Sequence, residues 1–133
     1  MAAKNEINSH TNPVADLVMA ILAVNQWTLA QSGAIFEGLK KENLFDPLTI
    51  QQMDDAELQI ALKRAGYKKA DFVVGLISSR LHDMAKKLAG DGEQYLRDLV
   101  LAKNKKELRE FLMGIKGVGP KVYENFLLLN DIR

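Results

Sequence analysis

The 133-residue sequence predicts an all-α protein of about seven helices. Three observations indicate this class. Apolar residues recur at helical spacing in most segments, whereas the strict alternation of a half-buried strand is missing. Capping residues and prolines stand where the periodic segments begin, and glycines stand where several of them end. The connections between these segments are of ordinary length for a compact domain.

Asn12 and Pro13 provide a cap and a first helical residue for a helix over 14–22. This helix is apolar on more than one face, which predicts a central, buried position. After a break that contains Gln26, Thr28 caps a second helix that extends through Leu39. The first predicted helix is thus already part of the core.

The middle of the chain alternates short and long helices. Asp46 and Pro47 start a short one that ends near Met53, and Asp54 or Asp55 then caps a helix whose apolar residues are Leu58, Ala61 and Leu62. Gly66 is predicted as the C-terminal cap of that helix. The remaining predicted elements are a long helix with a broad apolar face over 72–88, a short helix over 95–100, and a helix opened by the capping-box spacing of Asn104 and Glu107.

Composition excludes several classes of protein. Hydrophobic residues make up 47% of the chain and charged residues 26%, which is typical of one ordinary globular domain. Because cysteine is absent, the protein has no disulfide, no cysteine nucleophile and no iron–sulfur cluster. Residues 1–11 are polar and predicted to be a flexible N-terminus, and 12–133 to form the helical domain. No signal peptide or membrane-length apolar run is evident, so we expect a cytoplasmic protein with no membrane contact.

Charge is unevenly distributed, although the net charge is only +1. Residues 1–60 carry three Lys and Arg against eight Asp and Glu, and residues 61–133 carry fifteen against nine. A basic C-terminal half suits phosphate binding. Ordinary solvated helix faces are an alternative explanation of the same numbers.

The most distinctive stretch is 112–122, which contains Gly114, Gly117 and Gly119 between two apolar helical segments. Glycine permits positive φ and close backbone approach, so the link can be a very tight hairpin. Pro120 suits the first position of the final helix, whose unpaired N–H groups could receive a phosphate. Lys121 lies on the first turn. A plain helix–helix turn explains the same spacing and, from the residues alone, is favoured.

Residues 112–128 also resemble the helix-hairpin-helix of the HhH-GPD superfamily, the DNA glycosylases related to endonuclease III and 8-oxoguanine glycosylase. The segment Ile115-Lys-Gly-Val-Gly-Pro-Lys121 matches the hairpin pattern L-x-G-[IV]-G-x-K of that family and is similar to the hairpin of archaeal 8-oxoguanine glycosylases. The resemblance extends over 13–129, with the helix-hairpin-helix at about 104–129, and implies a partial HhH-GPD domain. Tyr123 departs from the family pattern, which often has a small residue there.

The resemblance implies specific roles. Lys121 occupies the position of the Schiff-base lysine of the bifunctional members, where burial in a cleft and the positive end of its helix would favour a neutral amine. Gln26 occupies the position from which related enzymes insert a polar side chain into the DNA stack. Implied contacts to double-stranded, damaged or abasic DNA come from Lys116, Gly117, Val118, Gly119, Lys121 and Gln26. Implied ligands of a Na⁺ or K⁺ ion are the backbone carbonyls of Met113, Ile115 and Val118, and no other cofactor is required.

One part of the family pattern is missing. Active members carry a catalytic aspartate in a segment like V-D-x-H beyond the lysine, and no such segment follows Lys121. We therefore expect a base-excision-repair protein with weak abasic-site lyase activity rather than base excision. The alternatives are a non-catalytic helix-hairpin-helix module that binds phosphates without reading sequence, and a protein-interaction domain whose hairpin is only a turn. Because later family helices are missing, the first helix should be uncovered, which predicts a homodimer.

Overall fold

The computed structural model describes residues 12–24 and 26–132, which form helices and no strands. The helices within this part of the chain are α1 (Pro13–Leu22), α2 (Leu29–Ala34), α3 (Phe36–Lys41), α4 (Pro47–Gln52), α5 (Asp55–Ala65), α6 (Asp71–Leu88), α7 (Gly92–Ala102), α8 (Lys105–Met113) and α9 (Pro120–Leu129). The predicted all-α class is confirmed. The flexible segment predicted at 1–11 lies outside the described residues. No described helix combines the length and the apolar character needed to cross a membrane.

The described residues contain nine helices instead of about seven. One reason is that the helix predicted from Thr28 to Leu39 is two helices, separated at Ile35, where φ is −106° and ψ is 16°. The break accompanies packing of α3 on the end of α5. A Cβ atom at Gly38 would lie 2.2 Å from the carbonyl oxygen of Ala65, so only glycine allows this approach.

Helix α1 is the centre of the fold. All ten of its residues are buried, and it packs against α2, α6, α7 and α9. The predicted central position is therefore confirmed. The expectation of an uncovered first helix is wrong, because these four helices enclose it within one chain, and the argument for a homodimer loses that basis.

Side-chain caps fix the predicted helix starts. The Asn12 side chain accepts a hydrogen bond from the Ala15 amide at 3.2 Å, and Thr28 forms a capping box with Gln31. Asp54, rather than Asp55, caps α5. At the far end of α5, Gly66 adopts φ of +113°, the left-handed conformation predicted for it.

Candidate nucleic-acid interface

Residues 114–119, here called the hairpin, connect α8 to α9. The amide of Val118 donates to the carbonyl of Ile115 at 3.1 Å, and both side chains are buried, which anchors the hairpin in the core. Val118 therefore uses its amide and its side chain inside the protein, leaving only its carbonyl for the DNA or cation role predicted for it.

The three hairpin glycines are not equivalent. Only Gly117 has positive φ, at +90°, whereas φ is −77° at Gly114 and −107° at Gly119. A Cβ atom on Gly117 would also lie 2.6 Å from Cγ of Arg80 on α6. Gly117 is thus required by backbone conformation and by the Arg80 side chain that packs on it. A Cβ atom on Gly119 would meet nothing within 4 Å, so that position is sterically open.

Free amide groups are concentrated where α9 begins. The amides of Gly117, Gly119 and Lys121 donate to no acceptor among the described residues, and Pro120 has no N–H. Gly119 is the N-cap of α9 and provides no side-chain cap. The start of this ten-residue helix can attract an anion through its free amides and its dipole.

Basic side chains surround the hairpin. Lys116 is exposed on the hairpin itself, and Lys121 is exposed on the first turn of α9. Two more come from α6: Arg80 packs on Gly117, and the Lys87 ammonium lies over the ring of Phe111, 5.3 Å from its centroid, and near Gly114. Sequence analysis missed Arg80 and Lys87 because their proximity to the hairpin depends on how α6 packs.

A cleft of about 580 Å³, here called the Lys121 cleft, brings together the two side chains that the family resemblance singled out. Gln26 contributes from the loop between α1 and α2, and Lys121 from the first turn of α9. Gln26 is exposed and has φ of +71°, an uncommon conformation outside glycine. The full lining is Ala23, Val24, Gln26, Trp27, Thr28, Leu29, Lys121, Asn125 and Leu128.

The wall of this cleft is built around the C-terminal end of α1, whose last carbonyls have no partners within the helix. The backbone amides of Ala23 and Val24 donate to two of them, Met19 O and Leu22 O, and three side chains from different elements donate there as well. Ser32 donates to Met19 O at 3.1 Å, Tyr67 to Leu22 O at 3.2 Å, and Asn125 to Ala23 O at 3.2 Å. This arrangement fixes α9, and with it Lys121, relative to the loop that carries Gln26.

Trp27 adds a rigid aromatic surface to the cleft. Its indole N–H donates to Ser32 Oγ at 3.1 Å, and its ring meets Tyr67 edge-on with centroids 4.8 Å apart. The indole is half-buried, as expected of a core anchor, but it also lines the cleft. Because Trp27 is the single tryptophan of the chain, its fluorescence reports on this site.

Lys121 differs from expectation in one respect. Its side chain is exposed rather than buried in the cleft. The burial that the family resemblance implied for Lys121 is therefore not found. Among the described residues that line the cleft, none is a carboxylate or a histidine.

Tyr123, the departure from the family pattern, joins the two hairpin helices. Its hydroxyl donates to the carbonyl of Lys105, at the start of α8, at 3.2 Å. The larger side chain thus bridges α8 and α9 by a hydrogen bond.

The carbonyl groups suggested as cation ligands retain acceptor capacity. Ile115 O accepts one hydrogen bond, from Val118, and the carbonyls of Met113 and Val118 accept none from described backbone amides. Carbonyl oxygens suit a hard monovalent cation, so the donor set fits the implied ion. No cluster of three or more His, Cys, Asp or Glu residues occurs among the residues described.

In comparisons with protein-family models, curated proteins and solved structures, nothing matches the chain. A functional assignment therefore rests on the residues and their geometry.

Proposed function

We propose that this protein binds double-stranded DNA through the hairpin and opens abasic sites with Lys121, as a base-excision-repair protein of the glycosylase/lyase type. The observation that carries the proposal is the Lys121 cleft, which places Gln26 and Lys121 on one surface beside the glycine hairpin. These two residues are far apart in the sequence, and the fold brings both to one cleft.

Affinity would come mainly from phosphate contacts. The free amides of Gly117, Gly119 and Lys121 and the ammonium groups of Lys116 and Lys121 lie close together along the chain at the start of α9. Amides and lysines at a helix start hold phosphates without reading base sequence. Met113, Ile115 and Val118 would supply carbonyl ligands to a Na⁺ or K⁺ ion at the same hairpin, where its positive charge would add to the attraction.

The chemistry proposed for Lys121 begins with its neutral amine, which adds to the C1′ aldehyde of an abasic site. The adduct takes a proton from solvent and loses water, which gives a protonated imine. Water removes a C2′ proton, and the electrons expel the 3′ phosphate, which breaks the C3′–O bond. Hydrolysis of the remaining imine returns the free amine. Lys121 is exposed in the free protein, so its amine is accessible to an abasic site in bound DNA.

Excision of an intact base is not part of the proposal. Bond cleavage at C1′ develops positive charge on the sugar, which a nearby carboxylate would stabilise. The described lining of the Lys121 cleft contains no carboxylate. An abasic aldehyde is already electrophilic, so lysine alone suffices for weak strand cleavage.

Borohydride trapping tests the lysine. With abasic duplex DNA and borohydride, the parent protein should form a covalent adduct by reduction of the imine, and Lys121→Gln should form none. Duplex binding should fall only about two- to fivefold in Lys121→Gln, because one phosphate contact is lost while the backbone amides remain.

Lys116→Gln is the matched control, since Lys116 is an exposed hairpin lysine that does not line the cleft. It should retain trapping. An adduct that persists in Lys121→Gln at the parent level would exclude Lys121 as the nucleophile.

A non-catalytic module is the second candidate function. The exposure of Lys121 and the absence of a carboxylate from the described cleft lining favour it. In that case Lys121 neutralises phosphate, and the parent protein binds duplex DNA in a salt-dependent way without forming any borohydride adduct.

A further inference from the structure

Phe72 is more exposed than any other large apolar side chain in the described part of the chain. It lies on the first turn of α6 with 79% of its surface exposed. Sequence periodicity placed it on the apolar face of this helix, but most of the side chain is not covered by other described residues. An aromatic ring at a helix start leaves an apolar surface exposed to solvent, and this surface is well suited to stack on a flat ligand.

The ring borders a second cleft of about 380 Å³, here called the Phe72 cleft. Gln26, Lys69, Ala70, Phe72 and Val73 line it. Gln26 also lines the Lys121 cleft, so this one exposed side chain stands between the two clefts. A ligand that occupies the Lys121 cleft and passes Gln26 would meet Phe72 next.

We propose that Phe72 forms a stacking site for an unpaired nucleobase of the DNA that the hairpin binds. The inference rests on the proposed DNA-binding function and adds a second subsite to it. Base–aromatic stacking tolerates any sequence, because every base has a π-face. It therefore matches a hairpin whose phosphate contacts also carry no sequence information.

The charges around Phe72 favour a nucleic acid over an apolar protein segment. Lys68 and Lys69 immediately precede α6, and Lys69 lines the cleft itself. The nearby carboxylate of Asp71 forms an ion pair with Lys63, which offsets its repulsion of a phosphate. The amides of Asp71 and Phe72 donate to no acceptor within the described residues, which adds a positive helix end beside the ring.

The test compares binding to an intact duplex with binding to the same duplex carrying one unpaired base. The parent should prefer the bulged duplex, and Phe72→Ala should lose about tenfold in affinity for it while binding the intact duplex as before. Because the ring is exposed, the variant should keep the parent's circular dichroism and melting temperature. Leu101→Ala is the matched control: Leu101 is 76% exposed and lines neither cleft.

Phe72→Trp provides a direct readout of stacking. This variant should keep the preference, and its additional tryptophan emission, measured against the parent with Trp27 alone, should be quenched by the bulged duplex only. If Phe72→Ala retains the full preference, or the new tryptophan is not quenched, the stacking site is excluded while hairpin binding of intact duplex still stands. If the parent binds neither DNA, the proposed function fails together with the stacking site.

Discussion

Asp16 is the residue whose chemistry conflicts most with its surroundings. It lies on the central helix α1 with 4% of its surface exposed, and its Oδ2 atom has no hydrogen-bond partner among the described residues. Burial raises the pKa of this carboxyl to about 7, because the charged form loses its hydration. The folded protein therefore holds a proton on Asp16 at pH values where the unfolded chain releases it.

The sign of the resulting pH dependence follows from this difference. Below about pH 4 both states are protonated, and Asp16 has no effect on the free energy of unfolding. Between about pH 4 and 7 the folded state binds more protons, so stability decreases as pH rises, by on the order of 4 kcal/mol in total. Asp16→Asn should remove most of this decrease. Urea unfolding at pH 5 and pH 8 measures it; an equal pH dependence in variant and parent would contradict the assignment.

Tyr67 shows how a buried polar side chain is accommodated where Asp16 is not. Its hydroxyl donates to the Leu22 carbonyl, and the side chain is fully buried. Burial raises the pKa of Tyr67 to about 12, with the charge of Arg80 acting in the opposite direction. The hydroxyl therefore remains protonated and keeps donating to α1 throughout the physiological range.

Among the elements, the hairpin restricts most strongly which residues its positions can hold, and the restriction differs between its glycines. Gly117 cannot be replaced cleanly, because positive φ and the Arg80 side chain both oppose a Cβ atom. Gly119 is sterically open, has extended backbone at φ −107° and ψ −171°, and is the N-cap of α9. It is therefore the position at which the proposed phosphate binding can be tested without disturbing the fold.

We expect Gly119→Asp to preserve or slightly increase stability, by a few tenths of a kcal/mol, because aspartate is a good N-cap residue. Its carboxylate would occupy the proposed phosphate position, so duplex affinity should fall by about tenfold or more. Thermal melts and fluorescence anisotropy measure the two effects.

Gly119→Asn is the matched control, since asparagine caps equally well and has the same shape without the charge. It should lose much less affinity than Gly119→Asp. Equal duplex binding by Gly119→Asp and the parent would exclude the start of α9 as the phosphate site.

On the scale of the whole molecule, basic residues of the C-terminal half of the chain lie together on the surface near the hairpin. Lys116 and Lys121 belong to the basic C-terminal half and are exposed at the hairpin, with Arg80 and Lys87 of α6 beside them. If this surface binds DNA as proposed, its affinity should depend strongly on salt, because each neutralised phosphate releases a counterion.

The logarithm of duplex affinity should fall linearly with the logarithm of salt concentration, and Lys116→Gln should make the slope shallower by about 1. Lys40→Gln is the control, since Lys40 is an exposed lysine on α3 that lines neither cleft. If Lys116→Gln leaves the slope unchanged, Lys116 does not contact a phosphate of the duplex.

The sequence by itself determined the all-α class, most helix boundaries and the central position of α1. These features depend on neighbouring residues: a cap acts on amides two or three positions away, and an apolar stripe is set by the helical period. The same holds for the hairpin, whose Gly117 and Pro120 set the local backbone. A predicted boundary failed at Ile35, where the chain breaks to bring Gly38 against α5.

Only the tertiary structure decided which of these residues share a surface. The cleft between Gln26 and Lys121, the packing of Arg80 on Gly117 and the outward position of Phe72 depend on contacts between helices far apart in sequence. The exposure of Lys121 likewise depends on such contacts. Periodicity can assign a side chain to a face of its helix, but what covers that face depends on the packing of other helices, which local propensity does not encode.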